Sequence, residues 1–293
     1  MLRSLHEEIS KVPAGPLVVK TLTLFKKDNT LFQNIIYGHY HAHGRSFPWR
    51  QTTDPYHILV SEIMLQQTQT ERVINYYGPF IEQFSNFRAL ANAKLKNVLE
   101  RWNGLGYNRR AIHLKKAAEE VVIRYQGKLP ESFDEIVTLP GIGTATAGAI
   151  LAFAFNKPLA FIETNIRRVF IHFFFQDRQD IRDGEILPLV KKTLDGDNPR
   201  QWYYALMDYG AMLKKNVSNP NRRSAHYTRQ APFDGSERQI RGMIIRQLIT
   251  RHDMFVQELI DMINDDPARI KKNLHRLKEE GFLILSKSKV KLR

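Results

Sequence analysis

The sequence predicts an all-α chain closed by a small α+β segment, and three observations carry that expectation. Across residues 31–252 apolar residues recur at three-to-four spacing with few strand-like alternations, the period of helices that bury one face. Over 139–150 the chain reads LPGIGTATAGAI, a tight glycine turn that runs directly into small helix-forming residues. From Ser236 onward the pattern changes to three short helices and then two β-prone runs around a Lys-rich tip.

Taken in order, 55–84 reads as one or two helices, and 97–102 and 111–125 as two more. After the glycine turn come helices over 144–155, 165–175, 186–194 and 199–214. Residues 216–235 (NVSNPNRRSAHYTRQAPFDG) break the period; rich in Asn, Pro, Ser and Arg, they read as a long basic loop. Ser236 with Gln239 fits a capping box opening a helix through 249, and a second helix covers 256–263. Asp266-Pro267 is an N-cap and first-turn pair for a third over 268–280, which Gly281 stops before the hairpin FLILSKSKVKLR. That order resembles a winged helix. Its third helix carries Arg269, Lys271, Lys272, His275, Arg276 and Lys278, which suits either DNA contact or a solvated face in a protein-binding module. The expected division is an extension over 1–30, a core over 31–215, the basic loop over 216–235 and the module over 236–293.

Composition narrows the function classes. The 293 residues hold 44 Lys plus Arg against 30 Asp plus Glu, a formal net charge of +14, which suits a protein that neutralises phosphates. No apolar run approaches membrane-spanning length, and MLRSLHEEISKVPAGP lacks the apolar core of a signal peptide. A cytoplasmic, chromosome-associated monomer with no membrane partner is therefore expected. Cysteine is absent, which excludes disulfides, thiolate nucleophiles, zinc–thiolate sites and iron–sulfur clusters. No cofactor is expected, with a monovalent cation at the glycine turn left open.

Two carboxylates stand out. Glu62 interrupts an apolar run, YHILV before Ser61 and IML after it. Desolvation there would raise its pKa and keep it protonated near neutrality, as a general acid must be; pairing with a buried Arg is the structural alternative. Glu163 stands where the helix after the hairpin begins, so first-turn N–H groups could hold it ionised, or it merely favours a helix start. An acid that protonates a leaving base and an anion that stabilises charge developing on the sugar are what cleavage of an N-glycosidic bond requires. The glycine turn adds a grip on a nucleic-acid strand, because phosphate meets free N–H groups and the positive end of a helix dipole.

The turn resembles the helix-hairpin-helix motif of base-excision DNA glycosylases. From residue 47 to about 213 the chain is similar to the catalytic core of the MutY-type adenine DNA glycosylases, relatives of endonuclease III. The matching blocks are FPWR (47–50), DPY (54–56), SEIMLQQTQ (61–69), GLGY (104–107), the hairpin and ALMDYGAM (205–212). The resemblance implies a helix-hairpin-helix glycosylase core followed by the winged-helix-like module. It also implies that Glu62 protonates a flipped adenine, Gln67 wedges into the base stack, Tyr107 intercalates beside the lesion and Arg50 lines the base pocket. Leu139, Gly141, Gly143 and Thr146 of the hairpin, Asn165 beside Glu163, and Arg222 and Arg223 of the basic loop are the further DNA-binding candidates.

Three departures accompany it. Glu163 stands where the family has Asp, shifting the charge by about one bond. The four cluster-binding cysteines expected after Met212 are replaced by the basic loop. The winged-helix-like segment stands where a Nudix-like, 8-oxoguanine-reading domain is usual. Endonuclease III places a Schiff-base Lys in the hairpin helix, and the equivalent position here is Ala145. The expectation is a monofunctional DNA glycosylase that flips a mismatched or damaged base, adenine first, from double-stranded DNA and hydrolyses its glycosidic bond. The alternatives are a thymine or uracil mismatch glycosylase of the same fold, and a non-catalytic DNA-binding protein derived from it.

Overall fold

A computed structural model describes residues 29–251 and 253–293. Of the expected extension over 1–30, only Asn29 and Thr30 fall among the described residues, and they open the first helix. In chain order the helices are α1 (Asn29–His43), α2 (Pro55–Leu65), α3 (Thr70–Gln83), α4 (Phe87–Asn92), α5 (Leu95–Trp102) and α6 (Arg109–Tyr125). They continue with α7 (Phe133–Ile136), α8 (Thr144–Phe155), α9 (Thr164–Phe174), α10 (Asp183–Thr193) and α11 (Pro199–Asn216). The last segment contains α12 (Glu237–Arg251), β1 (Asp253–Phe255), α13 (Val256–Ile263), α14 (Pro267–Glu279), β2 (Leu283–Leu285) and β3 (Lys289–Leu292). The expected all-α core with a terminal α+β segment is observed.

The described residues gather into two compact units, with the division inside α8. The first holds residues up to Ser46 together with Leu151–Thr228. Its core is aromatic: the Phe32 ring of α1 meets Phe173 and Phe174 of α9 edge-on at 5.2 Å each, and Trp202 of α11 at 5.8 Å. Helices α9 and α11 approach so closely that a Cβ on Gly210 would lie 2.5 Å from the Asn165 carbonyl oxygen, so only glycine fits. Buried Asp208 accepts from the Arg45 backbone N–H at 2.8 Å and from its guanidinium Nε at 2.7 Å, tying the end of α1 to α11.

Residues 216–235 are more ordered than the open loop expected from composition. A 3₁₀ turn, Pro220–Arg223, is capped by the Asn219 side chain, and buried Asn221 donates through Nδ2 to the Thr164 carbonyl at 2.9 Å. Ile181 N–H donates to the Arg223 carbonyl and Ala225 N–H to the Ile181 carbonyl, each at 3.0 Å. The segment is a polar clip on α9 through Ala225. Asparagine and arginine, which looked like loop residues, here satisfy backbone groups at a helix end.

The second unit holds Phe47–Ile150 and Arg229–Arg293. Asp54 caps α2 by accepting from the N–H groups of Tyr56 and His57 at 2.8 and 3.2 Å, and Pro55 occupies the first turn. Seven of its eleven residues are buried, so α2 is a core helix rather than an amphipathic one. At α12 the Ser236 hydroxyl accepts from Gln239 N–H at 3.3 Å, but the Gln239 side chain reaches back to Gly235 N–H, one residue earlier than in the expected capping box. The sheet has three antiparallel strands in the order β1-β3-β2, one more than the hairpin predicted from sequence. The added strand is three residues long, too short to display alternation, and sets Met254 opposite Val290.

Candidate active site and nucleic-acid interface

Glu62 sits near the C-terminal end of α2, half-buried, with buried Ser61 and Ile63 on either side. The chain then turns through Gln66 to Gln69, and exposed Gln67 takes a positive φ of 56°. One side chain fixes this turn. Buried Arg110, from the start of α6, donates to the carbonyls of Ile63 (3.0 Å), Met64 (2.7 Å) and Gln66, to the Thr68 hydroxyl (2.9 Å), and to the carbonyls of Leu105 (3.4 Å) and Gly106 (3.0 Å). Its guanidinium lies over the rings of Trp102 at 5.3 Å and Tyr107 at 5.6 Å. Burial lowers its pKa to about 10, which leaves it charged at neutral pH. Arg110 thus ties the end of the Glu62 helix, the Gln67 turn and the loop before Tyr107 to one point. The sequence offered two adjacent arginines, Arg109 and Arg110, and no local signal separates the buried one from the exposed one.

The glycine turn joins the same unit. Gly141 has φ 80°, and a Cβ on it would lie 2.7 Å from the His113 Cβ, so geometry and space both require glycine there. Gly143 has open space around its Cβ position and no positive φ, so no contact among the described residues demands it. Gln66 donates through Nε2 to the Gly141 carbonyl and to the Thr146 hydroxyl at 3.2 Å each, linking the Gln67 turn to the hairpin. Leu139 is 2% exposed; its side chain serves the core, leaving only backbone for a ligand. Ala145 is half-buried in the first turn of α8.

In the first unit Glu163 is the N-cap of α9. One carboxylate oxygen accepts from the N–H groups of Asn165 and Ile166 at 2.7 and 2.8 Å, and the other faces Asn165 Nδ2 at 3.3 Å. Buried Arg168 holds Asn165 from behind, donating to its Oδ1 at 2.6 Å and to the Gly210 carbonyl at 2.7 Å. Although the residue as a whole is half-buried, its carboxyl is desolvated, and burial pushes its pKa up. The two N–H donors and then Arg168 and Arg167 pull it back, without cancelling the rise. The cap predicted from sequence is therefore present, and the carboxylate is less acidic than that prediction implied.

Half-buried Arg50 places its guanidinium 5.1 Å from the centre of the Phe47 ring. Tyr107 is 37% exposed, has φ 47°, and accepts at its hydroxyl from Arg238 of α12 at 2.7 Å. The loops bearing Gln67 and Tyr107 form one side of a groove of about 1220 Å³ in the second unit; α12 and α14 form the other. In the basic loop the two arginines differ. Arg222 is exposed, whereas Arg223 turns inward and donates to the carbonyls of Phe175, Gln176 and Ile171, which narrows the backbone-contact candidates to Arg222.

A family model described as the HhH-GPD superfamily base excision DNA repair protein matches residues 60–188. An adenine DNA glycosylase of Mycolicibacterium smegmatis is 31% identical over 260 residues, covering 82% of this chain and 88% of that protein. One from Buchnera aphidicola subsp. Baizongia pistaciae is 38% identical over 186 residues, or 62% of this chain and 52% of the relative, so the chain spans about half the length of that curated relative. Among solved structures, a thermostable thymine-DNA glycosylase superposes with a TM-score of 0.59 at 28% identity, over 64% of this chain and 88% of that one.

Proposed function

The chain belongs to the adenine DNA glycosylases of the HhH-GPD superfamily, and from that premise we propose that it is a monofunctional glycosylase that flips adenine from mismatched duplex DNA and hydrolyses its N-glycosidic bond. The observation that carries the reading is the Arg110 clamp, which joins the helix bearing Glu62 to the two loops bearing Gln67 and Tyr107. A strand-opening wedge and a proton donor on one rigid support are what base flipping followed by acid catalysis needs.

In this mechanism Gln67 and Tyr107 fill the space the flipped base vacates. Glu62 protonates the leaving base, which departs with the electron pair of the glycosidic bond. Glu163, ionised against the N–H groups of α9, stabilises the positive charge developing on the sugar, and water adds to the anomeric carbon and releases one proton to solvent. Gly143 leaves the hairpin backbone open to a phosphate, and the first-turn N–H groups of α8 supply its donors. With Ala145 where a nucleophilic amine would stand, the product is an intact abasic strand.

The likeness to the thymine-DNA glycosylase favours a second reading, removal of thymine opposite guanine. Both are tested by incubating the protein with duplexes bearing single mismatches or lesions and cleaving the abasic products with hot alkali. Cleavage at adenine opposite guanine or oxidised guanine is expected. Cleavage at thymine opposite guanine would move the assignment to the second reading, and binding without cleavage on any duplex would overturn catalysis.

A further inference from the structure

Beside the two loops assigned to the lesion stands a wall of arginines that the glycosidic chemistry does not use. Arg238 donates through one terminal nitrogen to the Tyr107 hydroxyl at 2.7 Å, and its guanidinium lies 5.7 Å from the centre of that ring. Its other terminal nitrogen donates to the carbonyls of Ala231 (2.6 Å) and Pro232 (3.2 Å), so the guanidinium is fixed from the module side. Glu280, after α14, accepts from Arg109 of α6 at 2.5 Å and from Arg241 of α12 at 2.5 Å, which staples the module to the helix that follows the Tyr107 loop. These contacts hold the module at a set position against the loops within the second unit.

The groove between them is lined from the module by Arg238, Arg241, Arg246 and Arg276, and from the loop side by Arg72. Arg241 is neutralised by Glu280, whereas exposed Arg72, Arg246 and Arg276 make no ion pair among the described residues. Three unpaired guanidinium groups around one groove, next to loops that by the reading above enter a duplex, match the charge and fork geometry of backbone phosphates.

We infer that the C-terminal module forms the second wall of the lesion-engaging groove, with Arg246 and Arg276 taking DNA phosphates and Arg238 acting as the positioning residue for Tyr107. The inference rests on the proposed DNA-glycosylase reading. It assigns the module a part in duplex engagement rather than a tether that acts at a distance.

The test uses the full chain and a duplex with 2-aminopurine beside a mismatched adenine. Removing one phosphate-binding charge should lower the slope of log K against log salt by about 0.9, so Arg246→Ala with Arg276→Ala should lower it by about 1.8. Lys94→Ala with Lys128→Ala removes the same charge from exposed positions outside the groove and should leave the slope as in wild type. Arg238→Ala should reduce the 2-aminopurine fluorescence gain on binding and slow single-turnover excision about tenfold, the weight of one hydrogen bond to a charged group. Arg238→Lys, which keeps a donor, should restore part of both. Equal slopes for the groove and control pairs, or an unchanged fluorescence gain in Arg238→Ala, would overturn the inference while leaving an active wild-type enzyme. A wild-type protein that binds duplex without excising would refute the catalytic reading, and the salt slopes would still decide the groove. A wild-type protein that binds no duplex would end both.

Discussion

Replacing Arg110 by lysine keeps the charge and removes the geometry. The guanidinium meets six acceptors: the carbonyls of Ile63, Met64, Gln66, Leu105 and Gly106 and the Thr68 hydroxyl. All six bonds come from its four terminal N–H groups, and an ammonium offers three donors from a single nitrogen, so acceptors on one of the two loops lose their partner. An unsatisfied buried acceptor costs about 1–3 kcal/mol, and water can reach the part-buried ones, so the net destabilisation of Arg110→Lys is roughly 2–4 kcal/mol. The adjacent Arg109→Lys is the control: that side chain is 58% exposed and pairs with Glu280, a contact worth under about 1 kcal/mol. Urea unfolding should separate the two variants clearly. Because the missing bonds tie the Gln67 turn and the Tyr107 loop to the end of the Glu62 helix, single-turnover excision by Arg110→Lys should fall about a hundredfold, the effect of an ångström-scale misplacement. Wild-type midpoint and rate in Arg110→Lys, or equal damage from Arg109→Lys, would refute the clamp.

Glu62→Gln should bind mismatched duplex as wild type does and lose excision by about two to four orders of magnitude, and a near wild-type rate would remove Glu62 as the acid. Glu163→Gln should lose about two to three orders, while Glu163→Asp keeps or raises the rate, since a shorter carboxylate can still cap a helix as Asp54 does. In the proposed mechanism Glu163 works ionised, and burial raises its pKa, so excision should fall as pH drops through a value above the ordinary carboxylate range; persistence of that limb in Glu163→Gln would assign it elsewhere. The same raised pKa means that the fold loses stability as pH rises through it, so Glu163→Gln should melt no lower than wild type at neutral pH. Borohydride treatment during turnover should trap no protein–DNA adduct, because Ala145 cannot form a Schiff base, and a strong adduct would reveal another amine. Arg222→Ala should lower the salt slope of DNA binding by about 0.9 with little change in stability, whereas Arg223→Ala should lower the melting temperature by removing three carbonyl partners; the reverse pattern would exchange their roles.

Local signals reached most of the helices, the caps at Glu163 and Asp266, and the closing hairpin. Asp266-Pro267 starts its helix as expected, because side-chain oxygen, fixed φ and the missing N–H act within one turn, and the structure shows Asp54-Pro55 doing the same. Glu163 announced itself as a cap for the same reason. The three-residue strand β1 was not legible, since its pairing with β3 is non-local and its length shows no period.

By itself the sequence determined the helical architecture, the positions of Glu62 and Glu163 on their helices, the absence of any thiol ligand and the excess of positive charge. Each of these follows from residue type, spacing or count. Tertiary structure alone decided which of two neighbouring residues faces inward. Arg110 is a buried clamp while Arg109 is an exposed ion pair, and Arg223 closes a helix end while Arg222 faces solvent. It also decided that Gly141 is required by His113 whereas Gly143 has open space among the described residues, and that Arg238, 131 residues away in sequence, meets Tyr107. Those outcomes depend on acceptors and rings contributed by distant segments, and no local pattern encodes which partner will be there.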